Sequence, residues 1–138
     1  MIDIRITADK LDITDCLALT EDPRSGGNVI FIGNVRDMTN GERVLRLEFE
    51  CYKPMAINEI RKIAEAAIAQ FSVRNVVVHH RIGILYPTDV AVIIVVNAGH
   101  RDKVFDACRY IIDTTKQRVP IWKKEIFENG AVWVAAHP

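Results

Sequence analysis

The chain has 138 residues, 49% hydrophobic and 26% charged, the length and make-up of one domain with a real core. Basic and acidic residues both number 18, so the formal charge is zero, which argues against nonspecific binding to a polyanion; no nucleic-acid partner is expected. The longest apolar run, residues 90–96, falls far short of the roughly 20 residues that span a bilayer, and charges within the first ten residues leave no apolar leader, so no membrane association and a cytoplasmic location are expected.

In chain order, residues 2–7 alternate as a strand, with Ile2, Ile4 and Ile6 on one face. Residues 13–20 suit a short helix, followed by a loop through Pro23, Ser25, Gly26 and Gly27. Residues 28–35 read as a strand, 37–41 as a polar loop and 44–52 as a second alternating strand. A long helix starts near Pro54, with Ile60, Ile63, Ala64, Ala67, Ile68 and Phe71 on one face. Strand 74–81, turn 83–88 and strand 89–97 follow, the last so apolar that both of its faces should be covered. A second helix is expected over 101–116, with a stripe of Val104, Phe105, Cys108, Ile111, Ile112 and Thr115. Pro120 stops it, and residues 121–127 and 131–135 make a hairpin around Asn129-Gly130. From residue 44 the order is β-α-β-β-α-β, a split βαβ pattern. It predicts an α+β fold with a mixed or antiparallel sheet and two main helices on one face, residues 1–138 forming a single domain.

The cysteines Cys16, Cys51 and Cys108 are far apart and match neither a disulfide framework nor a zinc site, so reduced thiols and no metal or cofactor are expected. His79 and His80 are strand neighbours whose side chains should point to opposite faces, which speaks against a joint metal site. Glu48 and Glu50 share a strand face and read as surface or ion-pair residues.

The neutral total hides a basic segment. Residues 101–125 hold seven bases and four acids, a net +3, suited to one small anion or simply to a solvated helix face. Four places set cations at element ends. Gly33-Asn34-Val35-Arg36 closes a strand, where glycine permits close approach and Arg36 offers a fork of donors; the plain alternative is a surface arginine. Gly99-His100-Arg101 sits at a strand-to-helix junction with free backbone N–H groups, where His100 is either an anion ligand or a capping residue. Lys116 lies near a helix end, where a lysine also stabilises the helix dipole. In the segment Pro120-Ile121-Trp122-Lys123-Lys124-Glu125 the chain reverses and brings Lys123 back toward Lys116, unless the two lysines merely decorate an exposed hairpin. Crowding among cations or burial beside Trp122 favours a neutral amine, so one lysine of the pair can bind while the other transfers a proton or acts as a nucleophile.

Five segments in this order, FIGNVR at 31–36, LEFECYKPMA at 47–56, RIGILYPTD at 81–89, AGHRDKVF at 98–105 and KQRVPIWKKE at 116–125, resemble the molybdopterin synthase catalytic (large) subunit family over nearly the whole chain. The resemblance implies an α/β-hammerhead-like fold and a sulfurtransferase of molybdenum cofactor biosynthesis. Such an enzyme converts cyclic pyranopterin monophosphate into the molybdopterin dithiolene, with sulfur from the C-terminal thiocarboxylate of a small ubiquitin-like subunit. It implies a homodimer within a heterotetramer. Lys116 and Lys123 match the family's active-site lysines. Asn34, Val35, Arg36, His100, Arg101, Lys116, Lys123, Lys124 and Glu125 match substrate-binding positions, with Arg36, His100 and Arg101 together expected on the phosphate. The loop after Arg36, Asp37-Met38-Thr39-Asn40-Gly41, and the end of the chain at Pro138 depart from many members. The competing readings are a non-catalytic sensor module for a phosphorylated metabolite, which needs the anion pocket without both lysines, and a scaffold that only docks a ubiquitin-like partner.

Overall fold

A computed structural model describes residues 1–134. Strand β1 (Ile2–Thr7) leads into α1 (Ile13–Leu19), β2 (Gly27–Asn34), the two-residue β3 (Met38–Thr39) and the long β4 (Glu42–Cys51). Helix α2 (Lys53–Phe71) is followed by β5 (Asn75–Arg81), the short β6 (Gly83–Leu85) and β7 (Val90–Ala98). A 3-10 turn at Arg101–Lys103 opens into α3 (Val104–Arg118), and β8 (Ile121–Phe127) and β9 (Gly130–Val134) complete the described chain.

The helices begin and end where their sequence dictates. Asp12 caps α1, its Oδ1 accepting from Thr14 N–H at 2.8 Å. Pro54 sits in the first turn of α2, where no N–H is needed. Ser72, in the left-handed region at φ 55°, closes the far end of α2 and donates to Ile68 C=O. Pro120 forces Val119 into an extended conformation and stops α3.

Two sheets form where the split βαβ pattern suggested one. The first has the order β1-β5-β7-β2, with β1 parallel to β5 and the other pairs antiparallel. The second holds β3, β4, β8 and β9 in that order, with β6 also pairing β4. Pattern explains the division. Strand β7 is buried along nearly its whole length and takes a central place with both faces covered. α2 and α3 pack on one face through Ile60, Ile63, Val104 and Ile111, and α1 packs on the other through Cys16. From Arg46 onward strand β4 alternates charged and apolar residues, so one face of its sheet meets water. Its inner face joins Val35, Val44, Leu47 and Leu85 in a separate small core.

Three local expectations are corrected. The loop at 37–41 is the tip of a hairpin: Met38 and Thr39 pair with Arg43 and Glu42 around Asn40-Gly41, both at positive φ. The turn at 83–88 contains β6, which hydrogen-bonds to β4. Phe105 leaves the stripe of α3 and is 63% exposed, because Ala107 takes the core position one turn after Val104. The hairpin expected at 121–127 and 131–135 forms as β8 and β9, and Ala135 lies outside the described residues.

Candidate functional site

A pocket of about 530 Å³ opens where the end of α3 meets both sheets. That volume suits a small organic ligand. Phe31, Gly33, Asn34, Val35 and Arg36 come from β2 and its exit, Thr115, Lys116 and Val119 from the end of α3, and Lys123 and Glu125 from β8. Leu47 and Phe49 of β4, beside Glu125 and Lys123 in register, and His80 of β5 also line it.

Arg36 is held by its neighbours. Val35 is buried in the small core and clamped on both sides: its N–H donates to Asp89 C=O at 2.9 Å and its C=O accepts from Thr88 N–H at 2.8 Å. Asn34 donates from Nδ2 to Thr88 C=O at 3.4 Å. Thr88 meets these partners with φ at 76°, a left-handed conformation costly for a β-branched residue. Asn34 and Val35 thus fix the strand exit, and Arg36 projects from it with a side chain free to extend. Gly33 lies where the β2 register slips, and a Cβ there would stand 2.7 Å from Val92 Cγ1. The close approach expected at this glycine is therefore a neighbouring side chain in the pocket wall.

Lys116 and Lys123 are brought together by the stop at Pro120. Val119 N–H returns to Thr115 C=O at 3.0 Å and Ile121 N–H to Val119 C=O at 2.8 Å, so the chain reverses within two residues. On β8 the side chains alternate. Lys123 pairs with Phe49 and Glu125 with Leu47, both facing the pocket, while Lys124 stands opposite Glu48 on the other face. Glu125 is 5% exposed, and its Oε1 lies 4.0 Å from Lys123 Nζ. No carboxylate of the described residues lies within ion-pair distance of Lys116. Among the described residues three cations against one carboxylate line the pocket, a positive balance suited to an anion.

His100 and Arg101 do not join this pocket within one chain. Strand β7 runs antiparallel to β2, with Asn34 beside Val90 and Gly27 beside Ala98. The Gly99-His100-Arg101 segment therefore leaves the sheet at the end away from Arg36, roughly 26 Å along the strand at about 3.3 Å per residue. Both side chains are exposed there, and His100 makes no capping hydrogen bond. A phosphate cannot touch Arg36, His100 and Arg101 of the same chain.

His80 lines the pocket although sequence reasoning set it aside. The expected opposition of the two histidines holds. His79 faces α1, with Nδ1 3.3 Å from Cys16 Sγ and Nε2 2.7 Å from Asp3 Oδ2. His80 continues the row of Val76 and Val78 and reaches the pocket at the end of β5. The available signal was parity: a polar residue at the end of an inward-facing apolar row. Burial pushes the His80 imidazole down to about 4 from its ordinary 6.5, against the opposing effect of its bond to Arg81 C=O. Burial likewise pushes the thiols of Cys16 and Cys108 up to about 11. Among the described residues no group of three metal-ligating side chains occurs.

Comparison with known proteins agrees with this geometry. Residues 6–118 match the family described as MoaE protein. The molybdopterin synthase catalytic subunit of Homo sapiens is 39% identical over 130 residues, covering 94% of this chain and 69% of that protein. The molybdopterin synthase catalytic subunit 1 of Mycobacterium tuberculosis is 43% identical over 134 residues, covering 97% and 91%. Among solved structures, molybdopterin synthase from Staphylococcus aureus superposes with a TM-score of 0.91 at 34% identity, over 95% of this chain and 96% of that one. A Helicobacter pylori structure, a complex of subunits 1 and 2 of molybdopterin-converting factor, shares the fold with a TM-score of 0.76 at 21% identity, over 99% and 93%. The fold, the pocket and these matches together mean that the chain belongs to the MoaE protein family.

Proposed function

We propose that this chain is the catalytic subunit of a molybdopterin synthase. It transfers sulfur from the C-terminal thiocarboxylate of a small ubiquitin-like subunit to cyclic pyranopterin monophosphate, forming the molybdopterin dithiolene. The observation that carries this reading is the convergence of Arg36, Lys116 and Lys123 on one pocket from three separate elements. The Arg36 guanidinium offers paired donors to the phosphate. Lys116, without a carboxylate partner among the described residues, supplies positive charge to the oxyanion that develops as the thiocarboxylate reacts; when substrate is absent its neutral amine attacks the acyl carbon, forming an amide as the C–S bond breaks and hydrosulfide leaves. Lys123, steadied by Glu125, orients the substrate and supplies a proton as the phosphate ring opens. Asn34 and Val35 act by holding Arg36.

His100 and Arg101 reach a phosphate at Arg36 only from a second copy, so we read the working unit as a homodimer within a heterotetramer. The Helicobacter pylori structure with the same fold is itself a two-subunit complex. Lys124, on the outer face of β8, is assigned to a surface beside the pocket. One domain, residues 1–138, carries the site. Three unpaired cysteines fit a reducing compartment, and we place the protein in the cytoplasm. No helix among the described residues is long and apolar enough to cross a membrane.

The test combines the protein with thiocarboxylated small subunit and the cyclic pterin phosphate. Dithiolene formation, abolished in Lys116→Ala, is the expected result. Precursor binding without sulfur transfer would replace this reading with a metabolite sensor, and docking of the small subunit without precursor binding would leave a scaffold.

A further inference from the structure

The cations of the pocket account for an anion, but they do not account for the rest of its lining. Leu47, Phe49, Ala91 and Val92 make an apolar stretch of that lining, with Phe49 beside Lys123 across the β4–β8 pair, and His80 interrupts it. The His80 ring is 9% exposed and packs edge-on against Phe49, with centroids 5.3 Å apart and planes at 75°. Its Nδ1 lies 2.8 Å from the Arg81 carbonyl oxygen. A carbonyl only accepts, so Nδ1 carries the proton, and in the neutral ring Nε2 is a bare acceptor. Burial keeps the ring neutral across the physiological range. Nε2 has no hydrogen-bond partner among the described residues, and it is not sealed from solvent as the Thr115 hydroxyl is. The backbone bond and the Phe49 contact together hold the ring so that this acceptor keeps one orientation.

An acceptor set in an apolar wall discriminates sharply. A ligand group that brings an N–H donor satisfies it, and one that brings an oxygen acceptor or an anion leaves two lone pairs facing each other. We propose that His80 Nε2 accepts a hydrogen bond from an N–H group on the heterocyclic end of the substrate, with Phe49 against the ring system, and so fixes how that end is oriented while Arg36 and the lysines hold the anionic end. His80 is then a specificity-determining residue for a ligand that joins an anionic group to an N–H-bearing heterocycle. This inference rests on the proposed function for the identity of that heterocycle as a pterin.

The test is calorimetric titration of the full chain with two probes, the cyclic pterin phosphate and inorganic phosphate. His80→Asn keeps a donor for the Arg81 carbonyl and removes the acceptor at the Nε2 position. His80→Gln restores an acceptor there. Melting curves establish that both variants are folded; a variant that fails to fold is replaced by His80→Phe, which keeps the ring against Phe49. The expected result is that His80→Asn weakens pterin binding about 10-fold, the usual scale for an unmet buried donor. Phosphate binding is unchanged, and His80→Gln recovers most of the loss. In turnover the defect is expected in KM, with kcat little altered. Equal weakening of both probes, or pterin binding by His80→Asn as tight as wild type, would overturn the assignment. A wild-type protein that binds phosphate but no pterin would overturn the proposed function itself, and this inference with it.

Discussion

Replacing Gly33 by alanine tests how the pocket wall is packed. A Cβ at position 33 would stand 2.7 Å from Val92 Cγ1 and 3.3 Å from the Phe31 ring. Ordinary contact between carbons is about 3.5–4.0 Å, so the Val92 methyl must retreat by about 1 Å. Val92 belongs to the main core under α2 and α3 and also lines the pocket, so it has neighbours behind it and ligand space in front. Overpacking of this kind costs about 1–3 kcal/mol. For a domain of this size each kcal/mol lowers the melting temperature by about 3–5 °C. Gly33→Ala is therefore expected to melt several degrees below wild type in a thermal scan followed by circular dichroism. It should also bind phosphate more weakly, because the register slip that aims Asn34 and Arg36 begins at Gly33. Adding Val92→Ala removes the clashing methyl and should recover part of the stability, a coupling that a double-mutant cycle measures directly. A Gly33→Ala protein that melts within a degree of wild type would refute the reasoning. So would a second substitution that simply adds its own cavity cost.

Three further outcomes are expected. His80 binds its proton at about pH 4 when folded and at about 6.5 when unfolded, so between those values the unfolded state holds more protons. Its contribution, of order 3 kcal/mol, is complete above pH 6.5 and fades as pH falls toward 4; denaturation midpoints across that window should show the loss, and His80→Asn should lack that component. Thr88→Gly relieves a strained left-handed residue worth about 1–3 kcal/mol and gives back about 0.5–1 kcal/mol in chain entropy. The net is a stabilisation of about 1 kcal/mol in urea unfolding, and a loss of stability would mean that Thr88 is not strained. Chains carrying Lys116→Ala and Arg101→Ala, inactive singly, should together regain about a quarter of wild-type sulfur transfer, since half of randomly mixed dimers hold one intact site. Absence of any recovery would mean that Arg101 does not act across a dimer.

Much of this molecule was legible in its sequence because local pattern and tertiary context agree. β1 and the apolar β7 come out almost residue for residue, since alternation in one and unbroken burial in the other leave no competing period. The meeting of Lys116 with Lys123 followed from the stop at Pro120, a local steric fact. What stayed hidden depends on pairing between distant strands. Nothing local says that β4 and β8 leave the first sheet and pair with each other, and the split βαβ pattern accordingly suggested one layer. The separation of His100 and Arg101 from Arg36 is a matter of strand direction, which follows only once β2 and β7 are known to be antiparallel neighbours. His80 was overlooked because its role comes from Phe49 and the pocket edge, both contributed by other elements. Phe105 was misplaced because helical spacing cannot distinguish which of two adjacent apolar residues turns inward.

The alternation along β8 has a consequence for how the site tolerates error. Losing one residue between Pro120 and Lys123 would shift every later side chain by one slot. Lys124 would then occupy the inward position of Lys123, and the pocket would keep its second lysine. The slot of Glu125 would fall to Ile126, and the carboxylate would leave the interior. The doubled lysine thus makes the positive charge indifferent to a one-residue slip, whereas the single glutamate does not. Of the charged groups on this strand, Glu125 is the one that reports whether the strand is in register.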